Sequence, residues 1–193
     1  EQIKFFEQQH TYHYVFGLEE SYGCLAGTYA RDKDACVAVM MLCEVASWCK
    51  KHGKTLWDAM LDLYEKYGYY KDDVKAITLK GIEGLAKIQE IMTTLRDNTP
   101  AQIGEHKVLK ARDYKKDTIT DLETGAVTPT GLPNSNVLYY ELPDAAWVCF
   151  RPSGTEPKLK FYYGVKADSM EAADAKAAEL GAAVMAIVEP MLG

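Results

Sequence analysis

The sequence predicts an α+β chain in two parts, mainly helical to about residue 80, then short antiparallel strands with two helices. Three observations carry this. Apolar residues recur at helical spacing through the first part. Beyond residue 100 the period changes to two, as along Lys158–Val165, where Leu159, Phe161, Tyr163 and Val165 alternate with Lys158, Lys160, Tyr162 and Gly164. Gly, Pro, Asn and Asp cluster between these runs and mark the turns.

In chain order, Ile3 to Phe16 is aromatic and mixed and predicts no single element. Glu19-Glu20-Ser21-Tyr22-Gly23 reads as a polar loop closed by glycine. Asp32 or Asp34 caps a helix to about His52, with Val37, Met41, Val45 and Trp48 on one face and Gly53 as its C-cap. Thr55-Leu56-Trp57-Asp58 resembles a capping box and opens a second helix with Leu56, Met60, Leu63 and Tyr67 on one face. Tyr69–Leu79 reads as extended. A third helix runs from about Ile82 to Arg96 with Leu85, Ile88, Met92 and Leu95 inward. Strands are expected at Lys107–Tyr114, Val137–Leu142, Ala145–Phe150 and Lys158–Val165, with Lys115–Asn136 a long loop or a loop with a hairpin. Asp168-Ser169-Met170-Glu171 caps an alanine-rich helix to about Val188, before Pro190.

Composition narrows the function classes. The 193 residues are 48% hydrophobic and 26% charged, with a formal charge of -6. An acidic balance argues against a nucleic-acid partner, so an anionic ligand must be met by a local cluster of cations. No apolar run reaches the length of a bilayer span, so no membrane partner is expected. The odd count of five cysteines, with no C-x-x-C pair, reads as reduced and mostly packed thiols in a cytoplasmic protein. His10 and His13 are spaced for a metal but lack a nearby third ligand. The chain opens on Glu1 without an initiator Met, as a piece of a longer protein would.

The most informative stretch is Arg151-Pro152-Ser153-Gly154-Thr155-Glu156-Pro157-Lys158, between two strands. A phosphate needs several donors converging on one point. Arg151 offers a bidentate fork, Ser153 and Thr155 offer hydroxyls, and Gly154 lets backbone amides come close. Lys158 and Lys160 share a face of the next strand and add charge. The bland alternative is a solvated turn stiffened by two prolines.

This stretch resembles the phosphate-binding loop of the α-D-phosphohexomutase superfamily. A second stretch, Phe16-Gly17-Leu18-Glu19-Glu20-Ser21-Tyr22-Gly23, resembles its sugar-recognition loop, and Arg31-Asp32-Lys33-Asp34 a segment of its phosphoglucomutase branches. The resemblance extends over essentially the whole chain, including Asp113-Tyr114, and is closest to longer bacterial phosphoglucomutases. Leu18 stands where an aromatic is frequent, and Lys115–Asn136 is longer than in compact members. It implies that residues 1–80 are the C-terminal part of the third domain. Residues 81–193 would be the fourth, an antiparallel sheet with two helices resembling the TATA-box-binding protein. It also implies that Arg151, Ser153, Gly154 and Thr155 bind the substrate phosphate that is not being transferred and that Lys33 reaches the substrate phosphate, with Lys158 adding its charge. Glu19 and Ser21 would hold the sugar's 3- and 4-hydroxyls.

Family members transfer phosphate from a serine on their first domain, with Mg²⁺ bound by three alternating aspartates on their second. Neither a Ser-His context nor Asp-x-Asp-x-Asp-Arg occurs here. Catalytic serine, Mg²⁺ and the N-terminal domains are therefore expected outside this chain, with glucose 1,6-bisphosphate as activator, and the chain alone is expected to be inactive. Glucose, mannose, pentose and glucosamine phosphates all stay open as substrates. A stand-alone phosphosugar-binding module is the alternative from another class.

Overall fold

The structure, a computed structural model, describes residues 2–18, 23–154 and 156–192. Two compact units result, Glu1–Leu63 and Tyr64–Gly193.

In the first unit, helix α1 (Gln2–Gln9) leads into a short antiparallel hairpin, β1 (Phe16–Leu18) and β2 (Cys24–Ala26), with Phe16 opposite Ala26 and Leu18 opposite Cys24. Helix α2 (Ala35–Lys51) begins at Asp34, the second of the two expected caps. Its carboxylate accepts from the amides of Cys36 and Val37 at 2.9 and 3.1 Å. Helix α3 (Leu56–Tyr67) starts with the expected reciprocal cap: Thr55 N donates to Asp58 Oδ2 at 2.7 Å and Asp58 N to Thr55 Oγ1 at 3.1 Å.

The faces expected to pack are largely bare. Val45 and Trp48 of α2 are exposed, Trp48 by 58%, as are Leu56, Met60, Leu63 and Tyr67 along α3. Only Ile3, Leu25 and Cys49 are buried among the described hydrophobic residues of this unit. The amphipathic pattern is right for a covered helix pair, but no layer among the described residues of this unit covers it. Cys36 and Cys43 share this exposure, so the expectation of packed thiols fails for these two, whereas Cys49 of the same helix is buried.

The second unit is built on a seven-stranded antiparallel sheet. Its strands are β3 (Tyr69–Thr78), β6 (Lys110–Asp113), β7 (Thr118–Asp121), β8 (Val127–Thr128), β9 (Leu138–Glu141), β10 (Trp147–Pro152) and β11 (Lys158–Ala167), in the order β3-β11-β10-β9-β6-β7-β8. A separate small hairpin pairs β4 (Gln102–Ile103) with β5 (His106–Lys107). Helices α4 (Gly81–Asp97) and α5 (Met170–Val188) both pack on β11. Ser169 caps α5 by accepting from Ala172 N at 3.1 Å. Period-two alternation sends Leu159, Phe161, Tyr163 and Val165 into the core, where they meet Ile88, Ile91, Met92 and Leu95 of α4 and Leu180, Val184 and Val188 of α5. Leu85, expected inward, is exposed; Gly84 and Ile91 are buried in that helix instead.

The compact units divide before β3, earlier than the expected 80/81 boundary. A strand must pair, and β3 pairs with β11 in unbroken register from Tyr69 opposite Ala167 to Thr78 opposite Lys158. The stretch between β6 and β9 holds the hairpin left open by the sequence: Ile119 faces Thr128 and Thr120 faces Val127, widening the sheet.

Candidate functional site

Arg151 and Pro152 continue the β10–β11 ladder, with Arg151 opposite Lys160 and Pro152 opposite Leu159. The expected loop is thus tighter than its sequence suggests, and Arg151 projects from a strand. The turn is braced by its own backbone. Ser153 N donates to Lys158 O at 2.8 Å, Lys158 N to Glu156 O at 2.7 Å, and Glu156 N to Ser153 Oγ at 3.3 Å. From outside the turn, Leu79 N donates to Pro157 O at 2.9 Å, tying it to the end of β3. Thr155 lies outside the described residues.

Alternation sends Val148, Phe150, Leu159 and Phe161 towards the helices. Arg151, Lys158 and Lys160 therefore share the opposite face. Arg151 is exposed and the two lysines half-buried. Among the described residues, none of the three cations has a carboxylate at ion-pair distance. Like charges directly opposite on a sheet destabilise it, so an anion over this face would relieve a standing repulsion. Arg151 also reaches the field of Cys149: burial pushes that thiol up to about 11, and the guanidinium opposes the rise.

Gly154 is exposed, and a Cβ added there would meet nothing within 4 Å. The fold does not require glycine at this position. Its missing side chain matters only for something approaching from outside.

In the first unit, Glu19 and Ser21 lie outside the described residues. The flanking geometry is clear: β1 and β2 form a hairpin whose connecting segment carries both. A cavity of about 230 Å³ opens beside it, lined by Ile3, Tyr14, Gly17, Leu18, Leu25, Arg31, Asp32 and Lys33. Lys33 Nζ lies 2.7 Å from Asp32 Oδ1, and the side-chain and backbone hydrogen bonds from Lys33 hold that carboxyl below the usual carboxylate range. Arg31 pairs with Glu7 at 2.6 Å. A larger cavity, about 620 Å³, lies elsewhere in this unit, against α1, and is lined by Glu7, His10, His13 and Tyr14 among others. Among the described residues, no group of three or more His, Cys, Asp or Glu converges as a metal site would require. Nor is any helix among them long and apolar enough to cross a membrane.

The structure thus brings Arg151, Ser153, Gly154 and Lys158 together on one hairpin and sets Lys33 beside the cavity of the other unit. Sequence reasoning did not see that Lys160 faces Arg151, nor that Leu79 braces the turn. Both depend on strand register, which no local motif encodes.

Residues 4–67 match the family model for phosphoglucomutase/phosphomannomutase, alpha/beta/alpha domain III. A phosphoglucomutase of Staphylococcus aureus is 39% identical over 157 residues, 81% of this chain and 28% of the relative. One from Staphylococcus epidermidis is 36% identical over 158 residues, 82% of this chain and 29% of the relative. The solved structure of pp63/parafusin (phosphoglucomutase) from Paramecium, in its open form, aligns with a TM-score of 0.54 at 18% identity. The alignment covers 89% of this chain and 30% of that one, and supports the fold. The chain belongs to the α-D-phosphohexomutase superfamily. Within it, the chain is similar to staphylococcal phosphoglucomutases and spans a little over a quarter of their length.

Proposed function

We propose that this chain is the substrate-holding C-terminal part of a cytoplasmic phosphoglucomutase or phosphomannomutase. The complete enzyme would interconvert hexose 1-phosphate and hexose 6-phosphate through a phosphoserine and a 1,6-bisphosphate, with glucose the favoured sugar. Residues 1–63 would be the end of its third domain, and its fourth would begin with β3 rather than at residue 81. One observation carries the reading: Arg151, Lys158 and Lys160 lie on one sheet face, beside a braced turn, and among the described residues no carboxylate pairs with them.

In this reading Arg151 grips two oxygens of the phosphate that stays in place, Lys158 adds charge, and the amides and hydroxyls of Ser153–Thr155 close around it. Glu19 accepts hydrogen bonds from two adjacent sugar hydroxyls, and Ser21 donates to or accepts from one. By the family resemblance, Lys33 would also bind substrate phosphate. These residues hold and orient; they move no phosphoryl group. Because the bisphosphate must present each end in turn, one set of holders serves both orientations. Mg²⁺, bound outside this chain, would neutralise charge that develops on the transferring group. Glucose 1,6-bisphosphate would prime the enzyme.

Kinetics of the complete enzyme test this. Arg151→Ala is expected to lower kcat/KM for glucose 1-phosphate by roughly tenfold to a hundredfold, the loss of a bidentate charge-assisted contact of about 1.5–3 kcal/mol. Gly154→Ala should lower it with no change in melting temperature. Glu19→Gln and Ser21→Ala should also lose activity while staying folded. Unaltered kinetics in Arg151→Ala and Gly154→Ala would remove the turn from the substrate site.

A further inference from the structure

We propose that the outer edge of β3 is an interface at which two copies of this chain pair antiparallel, about a two-fold axis through Val74. This is independent of the reading of the Arg151–Thr155 turn. The sheet ends differently at its two edges. At one, β8 is two residues long, Val127–Thr128, and offers a partner almost nothing to pair with. At the other, β3 runs ten residues, Tyr69–Thr78, in unbroken register with β11, and no strand among the described residues pairs with its outer side. An edge strand turns a row of amides and carbonyls outward, and proteins blunt such rows by shortness, bulges, proline or charge. β3 is long and has neither a bulge nor a proline. Val74 at its centre is 50% exposed, and its amide is met by a side chain, Asp73 Oδ1 at 2.7 Å.

Charge is the one guard left, and it fails against a copy of the same strand. Opposed residues in an antiparallel ladder both turn their hydrogen-bonding groups to the shared edge, or both turn them away. A symmetric pair of β3 strands must therefore be centred on a residue, not between two. Centring on Val74 opposes Asp73 to Lys75 of the copy and Lys75 to Asp73 of the copy, with Asp72 opposite Ala76 and Tyr70 opposite Thr78. No like charges meet. Centring on Asp72, Asp73 or Lys75 sets that residue against its own copy, and centring nearer either end shortens the ladder. Like charges directly opposite destabilise a sheet and opposite charges stabilise it, so the charges select the register on Val74. Lys75 is free for this role, having no carboxylate at ion-pair distance among the described residues. Asp73 shares its face, where its Oδ2 accepts from the Tyr163 hydroxyl at 3.2 Å. One strand pair buries little area, so the association is weak and concentration-dependent.

Sedimentation equilibrium of the 193-residue chain tests this. A monomer–dimer equilibrium is expected, weakened about tenfold by Asp73→Lys or Lys75→Asp alone and largely restored when the two exchanges are combined. Val74→Cys gives a second readout that does not depend on the Asp73 to Tyr163 bond. Hydrogen-bonded opposed residues stand about 5.5 Å apart at Cα, within disulfide reach, so mild oxidation should link this position to its own copy. Ala76→Cys, displaced along the ladder, should form no such link. Peptide mapping by mass spectrometry separates that bridge from any made by the exposed Cys36 and Cys43. A chain still monomeric at about 1 mM overturns the proposal. So does dimerisation that Lys75→Asp leaves unchanged, or a Val74→Cys chain that forms no bridge to its copy. Association would then run through another surface, such as the exposed flanks of α2 and α3.

Discussion

Arg96 and Asp113 form a buried ion pair, Nε to Oδ2 at 2.9 Å, with only 7% and 11% of the two side chains exposed. The same guanidinium donates to Asn136 Oδ1 at 2.7 Å and to Met92 O at 3.2 Å. Asp113 Oδ1 accepts from Lys115 N at 3.0 Å. One cluster thus ties α4, β6 and both ends of the widened hairpin segment. Removing one partner strands a buried charge, so Asp113→Ala should cost about 3–5 kcal/mol. Replacing both, as Arg96→Met with Asp113→Leu, should recover much of that loss. Urea unfolding of single and double variants measures it; a single variant within about 1 kcal/mol of the parent would show that the pair is not effectively buried.

The turn between β9 and β10 is closed by Ala146 N donating to Pro143 O at 3.0 Å, with Asp144 and Ala145 at φ of 58° and 61°. Positive φ at both central positions is what a type I′ hairpin turn demands, and glycine normally fills the second. Holding alanine there costs about 1–2 kcal/mol, against about 0.5–1 kcal/mol of extra chain entropy that glycine loses on folding. Ala145→Gly should therefore stabilise the chain slightly, by about 0.5–1 kcal/mol. A melting temperature that falls in calorimetry would contradict this.

Gly181 of α5 lies against Tyr163. An added Cβ would overlap the phenol oxygen and stand 2.7 Å from Cζ. Alanine is the better helix former by about 1 kcal/mol, but crowding a packed ring costs about 1–3 kcal/mol. Tyr163 is 1% exposed and its hydroxyl donates to Asp73 Oδ2 at 3.2 Å, so it cannot yield without losing that bond. Gly181→Ala should destabilise, and Tyr163→Phe in the same chain should return part of the loss. Equal melting curves for parent and Gly181→Ala would mean that the ring shifts freely.

The cysteines should separate by reactivity. Cys36 and Cys43 are exposed on α2, whereas burial holds the Cys149 thiol near 11. Near pH 8 its thiolate fraction is roughly a hundredfold below that of an ordinary thiol. Maleimide labelling read by mass spectrometry should therefore mark Cys36 and Cys43 long before Cys149. The sign for stability follows from the raised value: the contribution of Cys149 is present below its ordinary value of 9.0 and is withdrawn as pH climbs towards 11. Early labelling of Cys149 at neutral pH would refute its burial.

Local chemistry was legible in the sequence, and register was not. The caps at Asp34, Thr55 with Asp58, and Ser169 each involve residues within four positions of one another, and each appears where expected. So does the inward row Leu159, Phe161, Tyr163 and Val165. The hairpin of β7 and β8 stayed one of two readings because Thr118–Asp121 alternates weakly and its partner is only two residues long. The place of β3 was hidden because an extended run does not name its partner. At the candidate site the phosphate-loop motif could be read directly, whereas the pairing of Arg151 with Lys160 exists only once two strands are aligned.

The bare flanks of α2 and α3 change what stability means for residues 1–63. Any apolar layer laid on Trp48, Met60 and Leu63 would bind the folded helices and ignore the unfolded ones. Mass action then makes the folding of this unit depend on the concentration of its cover. Supplied by the same polypeptide, such a cover acts at an effective concentration in the millimolar range, set by tethering rather than by dilution. The helix pair would behave as one half of a reversible association that its own chain keeps close to saturation.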